Sequence, residues 1–405
     1  MKTCVFSPAE DLTGAAEAVK SGGLVAVPTE TVYGLCCDGL NEEAVRHLYE
    51  VKGRPENKPL ALMVPGKEAM ELYCREVPPQ ALRLADAFWP GPLTIILPAR
   101  EEISPTVLAG GDTVGLRCPD HPLTLALLRE CGRPLAGPSA NPSGAEPAKD
   151  ARAGLESFDG RIEAVLDGGE CAEGTPSTIV SLCSLPYRIL RQGPLTVEDI
   201  AGVLRQGVTL VGITGGTGCG KTTALRVLEE KGALLLDCDA VYHELLESSG
   251  KLLQELRERF GDGVFTDGRL NRKALGAVVF ADEAALKDLN AITHRYVTDE
   301  LERRIRDFAM SGGTLAAIDA IALLESGLAE RCSISLGVLA PKEMRIRRIM
   351  ARDGITEEYA RLRVDAQHGD DFFRENCTHV LVNDGTAAEF EAKCRTFFED
   401  NLKNI

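Results

Sequence analysis

The stretch Thr209-Leu-Val-Gly-Ile-Thr-Gly-Gly-Thr-Gly-Cys-Gly-Lys-Thr-Thr223 decides how the rest of the chain is read. Leu210, Val211 and Ile213 form a short apolar run that predicts a buried strand. A glycine-rich turn follows, and a helix opens at Thr222. The spacing Gly215-x-x-x-x-Gly220-Lys221-Thr222, in this strand–loop–helix setting, fits the phosphate-binding P-loop. Glycines reach positive φ angles and let the backbone approach an anion closely. Their N–H groups, with the positive end of the following helix, cradle phosphate oxygens. This reading assigns Gly215, Gly216, Thr217, Gly218, Cys219, Gly220, Lys221, Thr222 and Thr223 to ATP binding, with Lys221 on the β- and γ-phosphates and Thr222 on Mg²⁺. The competing reading is a glycine-rich turn that binds nothing.

Downstream, Ala233 to Asp237 predicts a second strand ending in Asp237-Cys-Asp239. Carboxylates at that strand end, beside a phosphate loop, are placed to hold Mg²⁺ or to accept a hydroxyl proton. The alternative is that Asp239 caps a helix over Ala240 to Glu247. Helical patterns cover Lys251 to Phe260, Arg272 to Phe280 and Glu283 to Met310, and apolar strands run from Leu315 to Asp319 and from Ile334 to Leu339. In the helix after Pro341, Arg345, Arg348 and Arg352 fall at i, i+3 and i+7 on one face, as in a lid that closes over phosphates. A salt-bridged, solvated face would show the same spacing. Thr356 then caps a helix from Glu357 to Gln367.

At 405 residues the chain calls for two or three domains, and its 44% hydrophobic and 26% charged content is that of a protein with ample core. Upstream of the P-loop, strands and helices alternate in an α/β pattern: strand residues after Ser21-Gly-Gly, helix Glu42 to Lys52, strand Leu60 to Val64, helix Pro79 to Phe88, strand Leu93 to Pro98, strand Val114 to Arg117 and helix Leu123 to Glu130. At the joint, Thr196 caps a short helix, and no Gly/Ser- or Pro-rich tether separates the halves. The division is therefore expected at 1–206 and 207–405. The N-terminus lacks a long apolar stretch and no apolar run reaches bilayer length, so the expectation is a cytoplasmic protein without membrane association. Thirteen cysteines, an odd number with no C-x-x-C pair, read as reduced thiols, several of them packed in apolar surroundings. The net charge of −16 argues against strong direct RNA binding except through a local basic patch.

Polar clusters in the first half fall at strand ends, where open α/β sheets bind ligands. Lys52 and Arg54 make a cationic pair with Lys58 nearby, and Arg117 and Arg191 each lie at a strand end. Together they suit a polyanion such as a triphosphate. Thr31, Tyr33, Ser139 and Asn141 supply neutral donors and acceptors for a small polar substrate.

These clusters resemble the YrdC-type threonylcarbamoyl-adenylate synthase family, through PTETVYGL (28–35), KGRP with KPL (52–60), WPGPLT (89–94), VGLRCP (114–119), GPSANPSG (137–144), PSTIV (176–180) and ILRQG (189–193). The resemblance implies conversion of ATP, L-threonine and bicarbonate to threonylcarbamoyl-AMP, pyrophosphate and water, feeding a tRNA threonylcarbamoyl transfer machinery. By position Lys52 and Arg54 match the family's Lys-x-Arg pair, implied to be catalytic, and Ser139 and Asn141 match its Ser-x-Asn pair, implied to bind substrate or ATP. Thr31 belongs to the loop assigned to threonine, and Arg117, Ser177 and Arg191 match positions on the nucleotide side.

The second half resembles dephospho-CoA kinase, through TGGTGCGKTT (214–223), DCDAVYHELL (237–246), DGRLNRKAL (267–275), RRIMARDG (347–354), DAQ (365–367) and VNDG (382–385). That resemblance implies Mg²⁺- and ATP-dependent phosphorylation of the ribose 3′-hydroxyl of dephospho-CoA. Asp239 is the implied base, Lys221 the phosphate ligand, and Arg348 and Arg352 belong to the lid. Thr222, Asp237 and Asp239 are the candidate metal ligands. His243, Arg295 and Ile321 stand where the family commonly has other residues, which leaves the acceptor less sharply defined than the phosphoryl transfer. The fold expected is an open twisted α/β sheet joined to a P-loop kinase with a parallel sheet and a helical lid. Two other readings stand beside the bifunctional enzyme. In one the first half is an RNA-binding module; in the other the second half is a nucleotide-sensing regulator.

Overall fold

The computed structural model describes residues 2–7 and 12–403. The chain divides into two units, Met1–Leu204 with Met310–Gly312, and Arg205–Ala309 with Gly313–Ile405.

In the first unit the described strands are β1 (Cys4–Phe6), β2 (Val25–Val27), β3 (Gly34–Asp38), β4 (Ala61–Met63), β5 (Leu93–Pro98), β6 (Thr113–Arg117), β7 (Leu135–Ala136), β8 (Ala164–Leu166), β9 (Thr178–Ser181) and β10 (Arg188–Arg191). They join in the order β1-β8-β2-β3-β7-β4-β6-β5-β9-β10, a mixed sheet. All residues of β2, β3 and β8 are buried. Covering both faces removes the polar–apolar alternation of a half-exposed strand. The sequence reading accordingly did not separate Gly34–Asp38 as a strand from the motif around it. The helices Thr13–Lys20 and Pro122–Cys131 bury Ala15, Ala16, Val19, Leu127 and Leu128 in one core with Val25, Val27 and Leu166.

Helix Glu42–Lys52 matches its expected span. Asn41 caps it by accepting from the N–H groups of Glu43 and Ala44, and it ends at Gly53 in the left-handed conformation, φ 61°. That turn fixes the cationic segment: Lys52 is the last helical residue, and Arg54 follows on the loop that leads to β4. Because β4 lies parallel to β6, with Ala61 opposite Gly115 and Met63 opposite Arg117, this loop and Arg117 are carried by neighbouring strands.

The second unit contains β11 (Thr209–Thr214), β12 (Leu234–Asp237), the short hairpin β13 (Phe265–Thr266) and β14 (Arg269–Leu270), β15 (Leu315–Asp319), β16 (Ile334–Leu339) and β17 (His379–Val382). Five of these form an all-parallel sheet in the order β12-β15-β11-β16-β17. Its core joins Val211, Ile213, Leu336 and Val338 to Ala224 and Leu228 of helix Lys221–Glu230 and to Phe390 and Phe398 of helix Ala387–Asn401. Asp237 pairs in register with Asp319, and Asp319 with Ile213. Both carboxylates therefore end strands close to the start of the P-loop.

One cap differs from expectation. The helix begins at Cys238, and Asp237, not Asp239, accepts from the N–H groups of Asp239 and Ala240. Thr356 does cap the helix Glu357–Asp365, as expected. Among the described residues no helix is long and apolar enough to cross a membrane.

Candidate active sites

In the first unit a cavity of about 190 Å³ is lined by Arg54, Arg117, Arg191, Tyr33, Ser139 and Ser177, among others. Arg54 is braced by two carbonyls: Nε donates to Lys58 O at 3.2 Å and Nη2 to Pro59 O at 3.0 Å. Arg191 donates from Nε to Ser177 O at 2.9 Å and from Nη2 to Ser177 Oγ at 3.1 Å. Arg117 Nη2 donates to Glu30 Oε1 at 2.8 Å and to Thr31 Oγ1 at 2.7 Å, while its buried Nε has no protein partner among the described residues. Three guanidiniums thus converge on one cavity. Arg191 is held below the ordinary arginine range by burial and then by the like charges of Arg117 and Arg54. Such a site favours a multiply charged anion.

Lys52, Thr31, Asn141 and Lys58 do not line the cavity, and the wall residues Tyr33 and Ser139 are engaged by neighbouring groups. Lys52 is only 4% exposed, and its ammonium donates to Ser139 O at 2.5 Å, Asn141 O at 2.5 Å and Asn141 Oδ1 at 3.2 Å. It holds the 137–144 loop. Burial, and then the charge of Arg54, bring the Lys52 ammonium down to about 8. Ser139 Oγ donates to Asn141 Oδ1, and Asn141 Nδ2 to the carbonyls of Pro142 and Ala145. Thr31 is fully buried and holds Arg117. The Tyr33 hydroxyl donates to Gly169 O and accepts from Gly168 N–H; burial pushes it up to about 12. The Lys58 residue is exposed and contributes its carbonyl to Arg54. Glu30, which the sequence reading did not single out, pairs with Arg117 at 2.8 Å.

In the second unit the P-loop follows β11. Gly218 and Gly220 take φ angles of 82° and 104°, which a side chain would oppose. Lys221 Nζ donates to Gly215 O at 3.0 Å, folding back along the loop, and Cys219 is buried. Asp239 is exposed and lines a second cavity, of about 260 Å³, with Cys238, Tyr242, His294, Val297 and Ile321. Asp319 is a carboxylate the sequence reading placed at a strand end without a role. Its buried Oδ1 has no protein partner among the described residues. Burial raises it above the usual carboxylate range; Lys221 opposes that shift, while Asp237 and Asp239 add to it.

The arginine row divides. Arg345 is buried and donates from Nε to Thr217 O. Arg348 donates to Gly218 O and to Asn383 Oδ1. Arg352 is exposed and forks onto Asp353, away from the loop. Of the residues that depart from the common family pattern, Ile321 lines the cavity. His243 is exposed, and Arg295 pairs with Glu255.

Each half of the chain matches a different family of known proteins. Residues 17–193 match the Sua5/YciO/YrdC family model, described as telomere recombination, and residues 209–389 match the dephospho-CoA kinase model. The chain is 44% identical over 191 residues to the threonylcarbamoyl-AMP synthase of Pyrococcus abyssi, covering 47% of this chain and 56% of that protein. A Mycobacterium tuberculosis protein is 37% identical over 193 residues, with 48% and 88% covered. The dephospho-CoA kinase of Thermobifida fusca is 37% identical over 199 residues, with 48% and 97% covered. The chain belongs to the Sua5/YciO/YrdC family through its first half and to the dephospho-CoA kinase family through its second. It spans about half the length of the first curated relatives it matches, 56% and 55%.

Proposed function

We propose that the protein is a bifunctional enzyme with two separate ATP sites. The first unit forms L-threonylcarbamoyl-AMP and pyrophosphate from ATP, L-threonine and bicarbonate, and the second transfers the γ-phosphoryl group of ATP to the 3′-hydroxyl of dephospho-CoA. The observation that carries this reading is the pair of unlike anion sites, three converging arginines in one unit and a backbone P-loop in the other.

In the first unit, the threonine amine captures carbon dioxide derived from bicarbonate, and a carbamate oxygen attacks the α-phosphorus as pyrophosphate leaves. Arg54, Arg117 and Arg191 neutralise the phosphates and the leaving group, and the Lys52-held loop positions Ser139 at the cavity wall. No protein nucleophile is required. The product is a mixed anhydride suited to transfer onto an amine, consistent with a tRNA threonylcarbamoyl transfer step downstream.

In the second unit, Asp239 accepts the proton of the acceptor hydroxyl as its oxygen attacks the γ-phosphorus, and ADP leaves along the P-loop. The apolar walls beside Asp239 hold the acceptor, and Lys221 offsets phosphate charge. Thr222 and Asp319, whose buried Oδ1 has no protein partner among the described residues, would hold a Mg²⁺. Asp237, already engaged as a helix cap, is a weaker candidate. When bound, Mg²⁺ would supply neutralisation of phosphate charge.

Lys221→Ala tests the separation. It is expected to remove dephospho-CoA-dependent ADP release and to leave threonine- and bicarbonate-dependent pyrophosphate release at the wild-type rate. Loss of both would mean one shared ATP site.

A pH series tests the buried ammonium. Lys52 titrates at about 8 in the folded chain, against ~10.4 for an unperturbed lysine. Between these values the unfolded chain binds more protons, so the Lys52 contribution to stability rises with pH across that window. Synthase activity should move the other way, because a neutral amine has one donor fewer for the three loop acceptors. Pyrophosphate release is expected to fall as pH rises through about 8, and Arg54→Gln, assayed at saturating substrate, should displace that limb upward.

A further inference from the structure

The P-loop is gripped from outside in a pattern that phosphate binding alone leaves unexplained. Three consecutive carbonyls are each held by a side chain from elsewhere in the unit. Arg345 Nε donates to Thr217 O at 3.0 Å, Arg348 Nη1 to Gly218 O at 3.2 Å, and Asn383 Nδ2 to Cys219 O at 2.8 Å. In a planar trans peptide the C=O and the following N–H point in opposite directions. Fixing these carbonyls therefore turns the N–H groups of Gly218 and Gly220 toward the opposite side, while the Cys219 N–H between them closes the turn by donating to Gly216 O at 3.3 Å. That is the arrangement of a backbone nest that binds an anion.

The braces are themselves cross-linked. Arg348 Nη2 donates to Asn383 Oδ1 at 3.1 Å, and Arg345 Nη2 donates to Gln367 Oε1 at 2.5 Å. Gln367 Oε1 also accepts from Thr217 N–H at 2.9 Å, and its Nε2 donates to Thr217 Oγ1 at 2.9 Å. Asn383 and Arg345 are 4% and 6% exposed. The contacts leave no room for side chains on the loop: a Cβ on Gly216 would lie 2.2 Å from Arg345 Nη2, and one on Gly220 2.4 Å from Asn383 Nδ2.

We infer that Asn383, Gln367 and Arg345 are positioning residues that hold the P-loop as a donor nest before nucleotide arrives, with Arg348 tied into the same brace. The inference rests on the reading that this loop binds ATP. It gives Asn383 and Gln367 a defined hydrogen-bonding task, which separates it from simple packing. Aspartate at 383 keeps the volume and the acceptor for Arg348 but turns a carboxylate oxygen on the Cys219 carbonyl. Glutamate at 367 keeps both acceptor contacts, and the Thr217 hydroxyl is free to rotate and donate.

The test uses the full chain as wild type, Asn383→Ala, Asn383→Asp, Gln367→Ala and Gln367→Glu. Calorimetric ATP affinity, KM and kcat for ADP release, and melting without nucleotide are measured on each. Asn383→Ala, Asn383→Asp and Gln367→Ala are expected to weaken ATP binding about tenfold or more, with KM rising in step and kcat at saturating ATP changing far less. Gln367→Glu should recover most of the loss. Lower melting temperatures with unchanged ATP affinity in the folded fraction would overturn the inference, as would Asn383→Asp binding like wild type. If Asn383→Ala fails to fold, the two half-buried Gln367 variants decide by the same comparison. A wild type that binds ATP only in the first unit overturns the nucleotide reading of the loop and this inference with it. A wild type that binds at both sites beside indifferent variants overturns the inference alone.

Discussion

Asp239→Asn is expected to lower CoA formation by roughly 10²- to 10⁴-fold, the range lost with a general base, while KM for ATP changes little. Asparagine keeps the size of the side chain but has no carboxylate to take the hydroxyl proton. Because Asp237 makes the helix cap, the substitution leaves that cap intact and the fold should be undisturbed. Asp239 lines the second unit's cavity beside Cys238 and Tyr242, where the proposed function puts the acceptor hydroxyl. Rapid-quench measurement of ADP and CoA, with pyrophosphate release from the first unit as an internal standard, checks the result. An unchanged CoA rate would remove Asp239 from the mechanism.

Lys52→Met should reduce threonine-dependent pyrophosphate release by roughly 10²-fold or more, although Lys52 does not line the cavity. Methionine approximates the stem of the lysine but leaves the carbonyls of Ser139 and Asn141 without their shared donor. Each buried acceptor left unpaired costs about 1–3 kcal/mol, so the loop is expected to move. Displacing a positioned group by an ångström is enough to cost about 10² in rate. The Ser139 wall and the substrates it orients would lose register with Arg54 and Arg117. Steady-state assays of the variant, with CoA formation as the control for the second unit, measure the effect. Retention of wild-type synthase activity would show that the ammonium is dispensable.

The legible parts of the chain were those fixed by local pattern. The P-loop could be read because its glycines, lysine and threonine act within one turn between a strand and a helix. Helices Glu42–Lys52 and Glu283–Met310 were readable from their periodicity. What the sequence did not disclose was which atoms of the named residues are already engaged. Lys52, Thr31 and Tyr33 are held by carbonyls, an arginine and a loop that lie 86 to 136 residues away. The arginine spacing in the helix after Pro341 suggested one phosphate-facing row. Seven residues along a helix is roughly 10 Å, too far for both ends to serve the same short loop. The structure accordingly puts Arg345 on Thr217, Arg348 on Gly218 and Arg352 on Asp353. Asp319 ends one apolar strand and Asn383 follows another, and only the parallel sheet order brings them to the P-loop.

The central claim is that one chain carries two independent ATP-dependent reactions. Mass spectrometry of the products from a single preparation, supplied with ATP, Mg²⁺, L-threonine, ¹³C-bicarbonate and dephospho-CoA, tests it most directly. The account predicts ¹³C-labelled threonylcarbamoyl-AMP with pyrophosphate and, in the same sample, CoA with ADP, each dependent on its own acceptor. Absence of either product, or loss of CoA when threonine alone is omitted, would contradict it.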